Sequence, residues 1–254
     1  MKLLPLLLIS ALLLAQKPAE TWTLTFADEF NGTDVDLARW APHDPWGQVR
    51  DRQLQAWSPA SAEVSGGQLH LIARRTAEDS PVRYDGQNRE YVSGIVTTFG
   101  TFAQTYGRFE IRCRVPAARG LRAGFSLLPV PLGPLPEIDV FRVAGDAPAQ
   151  ISFGNHWGTG QTDRSYGDAF PGPDLSSGFH TIAVEWDAEK IVWFVDGREK
   201  FRSVDGVPHQ RMYLLLELAV GGRRGLLPNG STVLPASFDV DYIRVYRHGA
   251  AAKP

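Results

Sequence analysis

The sequence predicts an all-β protein, a sandwich of antiparallel sheets or a barrel. Short runs with period-two alternation or β-branched and aromatic enrichment recur along the chain. Clusters of Gly, Pro, Asn and Asp separate them, drawn from 25 glycines and 18 prolines. Amphipathic patterns of helical length are nearly absent after residue 20. Many short strands with turn signals between them are the signature of a sandwich or barrel.

Taken in order, the runs are "TWTLTF", "QLHLIARR", "GIVTTFGTF", "RFEIRCRV", "HTIAVEW", "KIVWFVDG", "MYLLLELAV" and "FDVDYIRVYR". In "RFEIRCRV", Phe109, Ile111, Cys113 and Val115 alternate with Arg108, Glu110, Arg112 and Arg114, so one face is apolar. The single cysteine, Cys113, lies on that face; it forms no intrachain disulfide and reads as a core thiol. Asp196-Gly197, between "KIVWFV" and "REKF", predicts a two-residue hairpin turn.

The leader "MKLLPLLLISALLLAQKPAE" has a lysine, an apolar run from Leu3 to Ala15 and a polar break. It reads as a secretory signal over residues 1–15, with residues 16–254 forming one domain of a secreted or periplasmic protein. After cleavage no membrane association is expected, and a monomer is. The 254 residues are 43% hydrophobic and carry a formal net charge of −2, so a large core is possible and a nucleic-acid partner is not expected.

Several phrases in order resemble glycoside hydrolase family 16, the β-jelly-roll (concanavalin A-like) group of laminarinases and lichenases. They are "FADEFNG", "DLARW", "SGGQLHLIARR", "YVSGIVTT", "YGRFEIRCRVP", "EIDVF", "FHTIAVEWDAEKIVWFVDG" and "LAVGG…PASFDVDYIRVY". The resemblance covers almost the whole chain after the leader. It implies a two-sheet jelly roll that holds a β-glucan-type polysaccharide and cleaves its O-glycosyl bonds with retention.

A retaining glycosidase needs a nucleophile and an acid/base, two carboxyls about 5–5.5 Å apart. The resemblance puts the nucleophile at Glu137 and its helper at Asp139, two residues on and so on the same strand face. The acid/base falls on Phe141 if the strand is regular, or on Arg142 if it carries a bulge. Neither can donate a proton at neutral pH, because a guanidinium stays charged and a phenyl ring has no proton to give. The family's cleft tryptophans are also replaced: "GLRAGFSLLP" has Arg122 and Ser126, and "VGGRRGLL" has Arg223 and Arg224. His156 and Trp157 in "GNHWG" remain as candidate sugar contacts.

Glu217, an acid amid leucines in "LLLELAV", needs a partner or a role. It is expected either to pair with Arg142 across a filled site or to act as a relocated acid/base. The resemblance further implies a structural Ca²⁺ on Glu29, Gly67 and Asp241, with no cofactor required for chemistry. Two functions stand open: a retaining endo-β-1,3- or 1,3(4)-glucanase, and a saccharide-binding protein whose hydrolysis is impaired or lost. The arginines Arg122, Arg142, Arg223 and Arg224 could favour an acidic or sulfated glycan.

Overall fold

The alternating runs fold into two facing antiparallel sheets in a computed structural model that describes residues 21–77, 80–158, 162–222 and 226–249. The leader, Arg223 and Arg224 lie outside the described residues. The concave sheet runs in the order Arg164–Pro171, Gln150–Trp157, Glu137–Ala144, Leu121–Pro129, Met212–Val220, Ile95–Thr97. The opposing sheet is centred on Gly107–Arg114, flanked by His180–Trp186 on one side and the long C-terminal strand Ala236–His248 on the other. One short pairing, Gln55–Trp57 with Tyr91–Ser93, is parallel.

The inward set predicted for "RFEIRCRV" is the one buried: Phe109, Ile111 and Cys113 are inaccessible and Val115 nearly so. They meet Phe125, Phe141, Trp193 and Phe238 between the sheets, with Phe141 and Phe238 edge to face at 5.9 Å. At the Asp196-Gly197 hairpin both residues take left-handed φ values, 47° and 73°, as a type I′ turn requires.

Met212–Val220 is apolar on both faces for a structural reason. Leu214, Leu216 and Leu218 point into the inter-sheet core. Tyr213, Leu215 and Ala219 belong to a second apolar cluster on the concave side, with Trp57, Ile95 and Leu128. A strand covered on both faces loses its alternation and reads as a continuous apolar run.

Glu137–Ala144 carries a bulge. Phe125 pairs with Phe141 but Ser126 pairs with Asp139, so Val140 is the extra residue. The neighbour on the other side agrees, with Asp139 opposite Gly154 and Arg142 opposite Ser152. This settles the alternative left open by the sequence: Phe141 goes into the core and Arg142 turns to the concave face. A bulge interrupts the ladder, and the Asp139 carbonyl accepts instead from Trp193 Nε1 at 2.8 Å, across the core from the opposing sheet. Trp193→Phe removes that donor and strands a buried carbonyl. Thermal unfolding should show a loss of at least about 1–3 kcal/mol, with no change in far-UV signature.

Candidate active site

The bulge places Glu137, Asp139 and Arg142 together on the concave face. Arg142 Nη2 donates to Glu137 Oε1 at 2.6 Å, and its Nε donates to Asp139 Oδ1 at 2.8 Å. Asp139 is the hub, because Ser126 Oγ also donates to its Oδ1 at 2.8 Å and His156 Nε2 lies 2.9 Å from its Oδ2. His156 faces Glu137 in register on the next strand and reaches diagonally over Gly154. A Cβ on Gly154 would sit 2.8 Å from His156 Nε2, so only glycine leaves room for that bond.

Charges here are set by burial and by one another. Burial opposes ionisation of Asp139, but Arg142, His156 and the Ser126 hydroxyl outweigh it and hold the carboxyl well below its ordinary value. Burial likewise opposes a charged His156, yet the bond to Asp139 and the charges of Asp139 and Glu137 raise its pKa. Glu137 goes the other way: burial pushes it up, against the pull of Arg142. Burial alone would lower Arg142, and Asp139, Glu137 and Glu217 together raise it further above an already high value. Arg142 is therefore a permanent cation, unable to act as a general acid.

The structure gathers most of the residues singled out in the sequence. Arg122, Glu137, Arg142, His156 and Glu217 line one cavity of about 310 Å³, and Asp139 lines the adjoining one of about 250 Å³. Glu217 and Arg142 flank Gly124 from the two neighbouring strands. The expected Arg142–Glu217 ion pair is not formed. Arg142 Nη2 and Nε go to Glu137 and Asp139 on its own strand, and Glu217 acts on it only through its charge.

Residues of two other expected sites are engaged in contacts of their own. Trp157 lines neither cavity: adjacent residues of a strand point to opposite faces, and its indole packs against Gly206, whose Cβ would lie 2.0 Å from the ring. The carboxylates of the expected calcium set, Glu29 and Asp241, are likewise engaged. The Glu29 carboxylate is held at both oxygens by Arg244, at 2.8 and 2.9 Å, and Asp241 is paired with Arg112 at 2.6 Å. Among the described residues no three His, Cys, Asp or Glu side chains converge on a metal position.

Sequence reasoning missed Ser126, read only as a lost tryptophan, and Trp193, whose role depends on the bulge. It also missed Arg50 and Asp51, which enter the cavity from a loop. Arg50 lies over Trp46, 4.1 Å from the ring centre, covering an aromatic face beside the cleft.

Comparison with known proteins places this geometry in context. Residues 52–221 match the family described as Glycosyl hydrolases family 16. The chain is 31% identical over 271 residues to a Beta-glucanase of Rhodothermus marinus, covering 90% of this chain and 86% of that protein. It is 30% identical over 243 residues to the Endo-1,3-1,4-beta-glycanase EglC of Rhizobium meliloti, covering 88% of this chain and 51% of that one. The chain spans about half the length or less of the first curated relatives it matches. Among solved structures, the catalytic domain of an endo-1,3-beta-glucanase (laminarinase) from Thermotoga petrophila superposes with a TM-score of 0.79 at 26% identity. That match covers 91% of this chain and all of the other.

Proposed function

The chain belongs to glycosyl hydrolases family 16, and from that premise we propose an exported protein that binds β-glucan-type polysaccharide and hydrolyses it poorly or not at all. The observation that carries the reading is Arg142, which stands at the bulge-shifted acid/base position and binds the two carboxylates of the same strand. The polysaccharide class is supported by the glucan-active relatives, and export by Lys2 and the apolar run from Leu3 to Ala15.

Each half of a retaining displacement meets an obstacle at this cleft. In the first, a Glu137 oxygen attacks the anomeric carbon while the glycosidic C–O bond breaks, and the leaving oxygen must gain a proton. Arg142 offers that oxygen positive charge but no transferable proton. In the second, water must lose a proton as it releases the sugar from Glu137, and a guanidinium cannot accept one. General acid–base help is worth about 10²–10⁴-fold. Arg142 also holds Glu137 Oε1, so the nucleophile must leave an ion pair before it attacks.

Leaving-group dependence tests the reading. An aryl β-glucoside that departs as a phenolate needs no acid in the first step. Its turnover should show a burst of aryl release, with a glycosyl adduct on Glu137 visible by mass spectrometry, while laminarin yields almost no new reducing ends. Retention on a laminarin gel measures the binding half. Rapid laminarin hydrolysis would overturn the reading. If Glu217→Gln then abolished that hydrolysis without unfolding the protein, an active endo-glucanase with a relocated acid/base would replace it. Glu217 lines the same cavity as Glu137, which is the observation favouring that second reading.

A further inference from the structure

Arg122 is the cleft residue whose chemistry is left incomplete. Its side chain is only 7% exposed, yet among the described residues Nε, Nη1 and Nη2 all lack a hydrogen-bond partner. The nearest acid is Asp51, whose Oδ2 lies 3.5 Å from Nη1, close enough for attraction but without a hydrogen bond. Burying an arginine with its donors unsatisfied is costly, and the cost is recovered only when an acceptor arrives.

Space is present beside the side chain. In register, Arg122 is flanked by Ala144 on one strand and Ala219 on the other, so its neighbours are short. It lines both adjoining cavities, each shared with Arg142 and His156. The other arginines of the larger cavity are differently placed: Arg142 is committed to Glu137 and Asp139, Arg50 lies over Trp46, and Arg164 is exposed. Four acids line the cavity too, Asp51, Glu137, Asp163 and Glu217, but among the described residues Asp51 alone lies within ion-pair distance of Arg122.

We propose that Arg122 forms an oxyanion subsite that receives a sulfate or carboxylate substituent of the glycan lying in the cleft. The guanidinium fork matches two oxygens of either group, which a single hydroxyl does not offer. The inference rests on the cleft being a glycan site and adds which glycans it prefers: chains bearing acidic substituents over neutral ones.

The test compares neutral laminarin, laminarin sulfate and inorganic sulfate as ligands at fixed ionic strength, by calorimetric titration of the wild type, Arg122→Lys and Arg122→Met. The wild type should bind the sulfated glucan at least about 10-fold more tightly than the neutral one, as expected for charge-assisted bonds. Arg122→Met should erase that preference while leaving neutral binding little changed, and Arg122→Lys should keep part of it. Equal loss of neutral and sulfated binding would mean that Arg122 holds a hydroxyl, and no loss would mean that it is merely solvated; either overturns the subsite. Inorganic sulfate binding as tightly as the sulfated glucan overturns the glycan assignment in favour of a free anion. If Arg122→Met fails to fold, the wild-type comparison decides, since absence of a sulfated preference is already fatal. Neutral binding without that preference sinks the subsite alone, whereas binding of neither polymer sinks the glycan reading as well.

Discussion

Replacing Arg142 with glutamate is expected to raise laminarin hydrolysis by about 10²-fold or more, the range that general acid–base help supplies. The substitution puts a carboxyl where the bulge already aims a side chain, opposite Gly124 and Ser152 and on the face of Glu137 and Asp139. Burial and three nearby acids, Glu137, Asp139 and Glu217, would raise the new carboxyl's pKa, which is what a proton donor needs. It also frees Glu137 from the ion pair that now holds it. The gain comes with a stability loss of about 3–5 kcal/mol, because the cation between two carboxylates is gone. The assay, reducing-end release from laminarin, therefore belongs well below the variant's melting temperature. Adding Glu137→Gln should abolish whatever activity appears. A folded Arg142→Glu protein no faster than the wild type would mean that the cleft lacks more than its acid.

Asp139→Asn should be the most destabilising conservative change, costing about 3–5 kcal/mol at neutral pH. For a domain of this size that is a drop in Tm of roughly 6–20 °C. It takes the charge from the one carboxylate that serves Arg142, His156 and Ser126 together. The pH dependence has a definite sign. Asp139 is depressed, so its contribution is complete above the unfolded value of about 3.9 and fades as pH falls through the lower folded one. His156 is raised, so its contribution is complete below about 6.5 and fades as pH rises through the folded value. Glu137, also raised, pulls in the same direction as His156. The wild type should thus be most stable on the acid side of neutrality. The gap between it and Asp139→Asn should close as the solution is acidified below about pH 4. Denaturant titrations between pH 2 and 8 would show this, and a gap that widened toward low pH would refute it.

How far the sequence was legible depends on which forces leave a mark on it. Strands buried on one face were readable from alternation, as in Gly107–Arg114 and His180–Trp186. Arg164–Pro171 was not, because it is an edge strand exposed along most of its length, with Tyr166 and Phe170 its aromatic contacts to Phe201. The Val82–Tyr84 and Gln87–Arg89 hairpin was missed because both of its strands are short and largely exposed. Within the site, the family resemblance singled out Glu137 and Asp139 and their spacing of two put them on one face, but the choice between Phe141 and Arg142 was not legible. It depends on a register shift against two other strands, a long-range fact absent from any local pattern. The partner of Arg142 was misjudged for a related reason. Glu217 looked stranded because its strand is apolar on both faces, whereas Arg142 folds back along its own strand to nearer acids.

Val140 sets the phase of everything that follows it in its strand. Were the same residues paired as an unbroken ladder, with a partner for Val140, inside and outside would exchange from the next position onward, driving a guanidinium among Phe238 and its neighbours and turning a phenyl ring out over the cleft. Substitutions at Arg142 are therefore open to drift, whereas the bulge and the length of the segment between Asp139 and Arg142 can change only together.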